Sequence, residues 1–308
     1  MRKKITIVGA GKVGSTVAQI LAYKGLGDIV IVNRTAGKAQ GIAMDLMQSS
    51  PVVEGFDAAV MGAGDYAETK ESDVAIITAG LPRKEGMSRD QLLAANAGAV
   101  RDIAAQLARH SPGAAMVVVT NPLDVMVHVA WKASGFKASK VIGMAGVLDT
   151  ARFRHFIAKE LGVSPRLVSG MVLGGHGDLM LPLVDYAKVK GKPLTGLMPK
   201  EKIGRIVRRT VNAGAEIISL EGDSAYYAPA SSVVQMVESI LLDKKMILPC
   251  SAYLNGQYGI KGVFLGVPVR LGKNGVEKII ELKLTKEELT RLQDSARSVT
   301  EMVKKAGI

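Results

Sequence analysis

Short apolar runs and longer amphipathic stretches alternate along the first half of the chain. Residues 5–8 form an apolar run that stops at Gly9, and residues 13–23 follow with helical spacing. Residues 29–32 form a second run, and residues 37–47 are again helical in pattern. Runs at 58–61, 74–78 and 116–120 predict three further strands. Between the last two, Leu93, Ala97, Val100, Ala104 and Leu107 recur at spacings of four and three, which places them on one helical face. Runs rich in Val and Ile, with no polar alternation, predict strands buried on both sides, as in a parallel sheet. Strand and helix in alternation predict an α/β, doubly wound sheet of the Rossmann type.

Near Val141 the pattern changes: helices lengthen and strands pair locally. Residues 263–271 and 276–284 flank Gly272-Lys-Asn-Gly275, which predicts a hairpin with an Asn-Gly turn. Thr285-Lys-Glu-Glu288 reads as a capping box. It opens a last helix with Leu289, Leu292, Ala296, Val299 and Val303 on its apolar face. The change of pattern predicts a dinucleotide-binding domain over 1–143 and an α+β catalytic domain over 144–308. With no repeat, low-complexity segment or flexible linker, the two are expected to pack closely.

Composition narrows the class. A chain of 308 residues, 48% hydrophobic and 22% charged, is an ordinary globular sequence and not a disordered, collagenous or disulfide-stapled one. The single cysteine, Cys250, closes no intrachain disulfide and makes no four-cysteine metal site, so a reducing compartment and no metal are expected. No apolar run is long enough to span a membrane. The first run is too short for a signal peptide, so a cytoplasmic protein is expected. Forty Lys and Arg against 28 acids give a net charge of +12, which attracts anions. The basic residues form no long block, Arg208-Arg209 and Lys244-Lys245 being short pairs, and aromatics are 4%, too few for base stacking. The expected partner is therefore a small anion, with no nucleic acid and no membrane.

The chemistry-bearing motifs come in a definite order. Gly9-Ala-Gly11-Lys12-Val13-Gly14 follows a strand and opens a helix, the setting in which G-x-G-x-x-G binds a dinucleotide. The first glycine allows the tight turn, the second lets backbone approach a pyrophosphate, and the third lets helix and strand pack. The next strand ends in Asn33-Arg34-Thr35, without the acid that would bind a ribose 2′-hydroxyl; Asp28 is at its other end. Arg34, Thr35 and Lys38 suit a 2′-phosphate, so NADP(H) is favoured, with NAD(H) the alternative. Gly80-Leu-Pro-Arg83-Lys-Glu-Gly86-Met-Ser-Arg89 follows another strand and suits a closing lid. Asn121 sits at a strand tip after Val119, and Asp149 and Arg152 lie three apart at a helix start. Of the four histidines, His110 ends a helix, His128 reads as a satisfied core residue and His155 as exposed. His176, between Gly175 and Gly177 after an apolar run, is the candidate acid/base.

The motifs at Pro82-Arg-Lys, Gly86–Arg89, Thr120–Asp124, Leu148–Arg154, Gly175–Asp178 and Ser224–Pro229 stand in the order found in one family. Over nearly its whole length the sequence resembles the lactate/malate dehydrogenase family, and looks most like its lactate-dehydrogenase-like malate dehydrogenases. The resemblance implies that His176 exchanges the proton and Asp149 supports its ring. It implies that Arg152 binds the substrate C1 carboxylate and Arg89 polarises the carbonyl. Asn96 and Asn121 would contact cofactor and substrate, beside Gly80 and Val119. In this family the position of Arg83 is glutamine in lactate enzymes and arginine in malate enzymes, so a dicarboxylate is implied. The physics agrees, since leaving such a charge without its partner costs about 2–5 kcal/mol. A homo-dimer or homo-tetramer is implied too. The sequence departs from the family at Asn33, at Glu85 where proline is common, and at Gly175 where a larger residue is common. The last departure predicts a looser loop before His176.

Overall fold

The computed structural model describes residues 2–81 and 89–307; of Arg89 only the backbone is described. Strands β1 (Lys4–Val8), β2 (Asp28–Val32), β3 (Val60–Ala63), β4 (Val74–Ile77), β5 (Ala115–Val118) and β6 (Val141–Gly143) run parallel in the order β3-β2-β1-β4-β5-β6. In β1 Ile5 pairs with Ile29 on one side and Val74 on the other. The crossover helices are α1 (Lys12–Tyr23), α2 (Ala36–Ser49), α3 (Arg89–His110) and α4 (Leu123–Ser134). All four residues of β4 are fully buried, which explains the unbroken apolar runs: helices cover both faces of the sheet.

The second half begins with α5 (Gly146–Leu161). Five two-residue strands follow: β7 (Val168–Ser169), β8 (Val172–Leu173), β9 (Leu181–Pro182), β10 (Lys188–Val189) and β11 (Lys192–Pro193). Then come α6 (Lys200–Glu221), α7 (Tyr227–Leu241), β12 (Met246–Asn255), β13 (Lys261–Gly272), β14 (Gly275–Ile279) and α8 (Lys286–Lys305). Antiparallel β12 joins β6 at Ser251 opposite Gly143, so β12, β13 and β14 extend the parallel sheet to nine strands. A Cβ on Gly143 would lie 2.7 Å from that of Ser251, so this junction has no room for a side chain. A separate apolar cluster of Phe153, Ile157, Val168, Leu194 and Ile206 lies around α5 and α6. Among the described residues no helix is long and apolar enough to cross a membrane.

Where element bounds differ from the sequence reading, the cause is visible. The strand expected at 58–61 is Val60–Ala63, because Ala58 is buried without pairing while Gly62 pairs beneath α2. A Cβ on Gly62 would lie 2.2 Å from the backbone of Ala39, so only glycine lets that helix sit so close. The run expected to extend to Leu284 leaves the ladder after Ile279. There the Tyr258 hydroxyl accepts from Leu282 N at 2.9 Å and donates to Ile280 O at 3.1 Å, in place of a partner strand. The capping box forms as expected, with Glu288 N donating to Thr285 Oγ1 at 3.2 Å and Thr285 N to Glu288 Oε2 at 2.9 Å.

His128 corrects an expectation. It is buried in α4, edge-on to Trp131 and Phe264, but its Nδ1 has no hydrogen-bond partner among the described residues. Burial, with Lys132 nearby, pushes its pKa from 6.5 down to about 4. The folded protein therefore takes up this proton less readily than the unfolded chain. The associated stability is full above pH 6.5 and is lost as pH falls towards 4. It amounts to about 3 kcal/mol at the usual conversion. Urea unfolding across that range should show the wild type losing about that much more than His128→Leu; parallel profiles would contradict the assignment.

Candidate active site

Three strand ends meet where the strand order reverses, between β1 and β4. Open α/β sheets bind ligands at this point. The chain leaves β1 through Gly9 at φ +118°, a conformation few other residues adopt. A Cβ on Gly14 would lie 1.9 Å from Gly9 O, so the third glycine is required for close packing. A Cβ on Gly11 would meet nothing within 4 Å. Its outward face is thus open backbone beside the first turn of α1, which holds no acid. A helix start with no acid in its own first turn suits an anion.

A cleft of about 530 Å³ opens over this loop. Gly11, Lys12, Val13, Gly14, Gly80, Asn96, Val119, Asn121, Arg152 and His176 all line it, so most of the sequence-predicted residues come together. The buried amide of Asn96 is used within the protein: Oδ1 accepts from Leu81 N at 2.8 Å and Nδ2 donates to Asn121 O at 2.9 Å. Its visible work is to join the segments after β4 and β5. Arg83 and Glu85 lie outside the described residues, as does the side chain of Arg89.

His176 stands in the loop between β8 and β9. Its Nδ1 is 2.9 Å from Asp149 Oδ2, on the first turn of α5, which leaves Nε2 for the cleft. Burial alone would lower the imidazole pKa. The Asp149 carboxylate, by charge and hydrogen bond, and the Asp124 charge outweigh burial and the opposing Arg152 charge, so the pKa is raised. Arg152 follows one turn along α5, only 12% exposed, with one long contact among the described residues, 3.5 Å from Nη1 to Asp149 Oδ1. Its buried Nε has no partner among the described residues, and burial lowers its pKa. A guanidinium held out of water, its Nε unpaired among the described residues, suits an anion.

The loop that carries His176 is held more tightly than the sequence predicts. Gly175 N donates to Ser295 Oγ at 2.8 Å, and His176 N donates to Asp124 Oδ2 at 2.9 Å. Ser251 Oγ donates to Asp124 Oδ1 at 2.6 Å. A Cβ on Gly175 would approach Val299 Cγ2 to 3.0 Å, so glycine here permits close packing and does not loosen the loop. Burial raises the Asp124 pKa, against the hydrogen bonds from Ser251 and His176 N. Sequence reasoning gave Asp124 no role although it ends the Thr120–Asp124 motif, and passed over Ser251 and Ser295. The one local signal was an acid in the first turn of an otherwise apolar helix, α4.

The tip of β2 also differs in detail. Asn33 does more than lack a charge: Oδ1 accepts from Ala10 N and Nδ2 donates to Thr35 O, both at 3.2 Å. The amide thus ties the glycine-rich loop to the start of α2. Arg34 and Thr35 are exposed beside it, outside the cleft lining, and the first turn of α2 has no acid.

Comparisons with known proteins agree with this geometry. Residues 3–143 match the family model for the lactate/malate dehydrogenase NAD binding domain, and residues 146–307 the model for its alpha/beta C-terminal domain. A malate dehydrogenase of Thermomicrobium roseum is 53% identical over 303 residues, covering 98% of each chain. The solved malate dehydrogenase of Salinibacter ruber is 48% identical with a TM-score of 0.93, covering 98% of this chain and 97% of that one. A lactate dehydrogenase of Cryptosporidium parvum, solved with lactic acid and nicotinamide adenine dinucleotide, is 42% identical with a TM-score of 0.95, covering 99% and 98%. The shared backbone therefore does not by itself separate the two substrates.

Proposed function

This chain belongs to the lactate/malate dehydrogenase family, and we propose that it interconverts oxaloacetate and malate with NADP(H) in preference to NAD(H). The observation that carries the substrate class is the buried guanidinium of Arg152, its Nε unpaired among the described residues, beside the His176–Asp149 pair. Its planar fork fits a carboxylate with two parallel hydrogen bonds. An oxygen on the adjacent carbon then lies toward His176 Nε2, which gives it a proton in reduction and takes one in oxidation. Asp149 keeps the imidazole in the tautomer with Nδ1 protonated and stabilises the imidazolium. When bound, the nicotinamide supplies or removes the hydride at substrate C2. The open face of Gly11 and the free first turn of α1 fit the cofactor's pyrophosphate. Arg89 polarises the carbonyl and Arg83 pairs with the second carboxylate, roles taken from the family pattern.

Cofactor preference is read from the end of β2. Asn33 brings no charge to repel a phosphate, and exposed Arg34 and Thr35 precede a helix with no acid in its first turn. The family domain bears NAD in its description, so NAD(H) is the second reading. The test is kcat/KM for NADPH and NADH at saturating oxaloacetate. NADPH should be preferred, and Arg34→Ala should lower its kcat/KM by about ten- to a hundredfold, the worth of hydrogen bonds to a charged group, while sparing NADH. A preference for NADH would withdraw the NADP reading and leave the substrate assignment standing.

A further inference from the structure

One side chain of the glycine-rich loop is already engaged with an anion of the protein itself. Lys12 is the first residue of α1, and its Nζ is 2.8 Å from Asp223 Oδ2. It also lies 5.2 Å from the centroid of the Tyr226 ring. Asp223 sits in the short link between α6 and α7, just after Gly222, which closes α6 at φ +75°. Its other oxygen, Oδ1, accepts from Ser224 N at 2.7 Å. Lys12, Asp223 and Tyr226 line the same cleft as Arg152 and His176. The contact thus bridges the two halves of the chain in the cleft that Gly11 also lines.

A lysine at the start of a helix is opposed by the helix dipole, and α1 has no acid in its first turn to offset it. An anion there is favoured, and Asp223 supplies one. A pyrophosphate entering beside Gly11 would meet a cation already paired and a carboxylate of its own sign. We propose that Asp223 is an internal competitor of the cofactor: its ion pair with Lys12 latches the pyrophosphate site in the free protein and is exchanged for cofactor phosphate on binding. The inference rests on the cofactor reading above. Both side chains are about half exposed, 55% for Lys12 and 52% for Asp223, so the latch is weak enough to be displaced.

The test is equilibrium binding to the full-length protein, by fluorescence for NADPH and NADH and by calorimetry for ADP-ribose and adenosine 2′-monophosphate. An exposed ion pair of this kind changes a binding constant by about two- to fivefold. Asp223→Asn, nearly the same shape without the charge, should tighten NADPH, NADH and ADP-ribose by about that factor. Adenosine 2′-monophosphate, which has no pyrophosphate, should be unaffected. In a Lys12→Met background, itself weaker for the dinucleotides, the gain from Asp223→Asn should shrink towards nothing. Unchanged or weaker dinucleotide binding by Asp223→Asn overturns the latch, as does an equal gain with Lys12 absent. A wild type that binds neither NADPH nor NADH overturns the cofactor reading and the latch together, a result distinct from binding that ignores Asp223.

Discussion

Replacing Asp149 with asparagine is expected to lower oxaloacetate reduction by about a hundred- to ten-thousandfold, the range spanned by loss of acid/base catalysis and of a tautomer-fixing carboxylate. The geometry gives the reason. Asp149 Oδ2 faces His176 Nδ1 at 2.9 Å, so on the proposed mechanism the imidazole holds a proton there and Nε2 is left to work on the substrate. An asparagine can present its NH₂ to that nitrogen and favour the opposite tautomer. It also removes the larger of the two carboxylate effects that raise the His176 pKa, leaving burial to lower it with only Asp124 opposed. Reduction needs the protonated ring and oxidation the neutral one. In the wild type, reduction should fall as pH rises through the raised pKa, and in Asp149→Asn that limb should move to lower pH. At neutral pH the variant should therefore lose more in reduction than in oxidation. A loss of rate with an unmoved pH profile would mean that Asp149 supports structure alone.

Arg152→Leu should cut kcat/KM for oxaloacetate by about thirty- to several-thousandfold, the consequence of losing one partner of an enclosed charge pair. The same change should not lower thermal stability. Among the described residues Arg152 has only a 3.5 Å contact to Asp149 and an unpaired buried Nε, so its removal relieves a buried charge. Steady-state kinetics beside a melting curve checks both halves. A variant that melts earlier yet keeps its kcat/KM would show that Arg152 is structural and that the carboxylate binds elsewhere.

The parts of the site legible in the sequence are those coded locally. Gly9, Gly11 and Gly14 are close in the chain, and their roles follow from one turn. Asp149 and Arg152 are one helical turn apart, and Thr285 and Glu288 form a cap within a single turn. The support for His176 was not legible, because its contacts are distant in sequence. Asp124 lies 52 residues from His176, and Ser295 lies 120 from Gly175. No spacing rule anticipates them. A glycine at 175 suggests freedom when read alone; only the neighbouring Val299 and Ser295 show that it serves close packing. The same limit applies to His128, whose burial follows from the apolar helix but whose unpaired nitrogen depends on what surrounds it. Asn33 showed its missing charge in the sequence, but not its two backbone hydrogen bonds.

The central claim is that a dicarboxylate is the substrate, on a backbone shared with a lactate enzyme at a TM-score of 0.95. The most direct measurement is kcat/KM for oxaloacetate and for pyruvate with the preferred cofactor. Pyruvate presents a methyl group where oxaloacetate presents a second carboxylate, and would leave Arg83 without the partner proposed for it. The account predicts that oxaloacetate is favoured by about thirtyfold or more. Equal constants, or a preference for pyruvate, would contradict it.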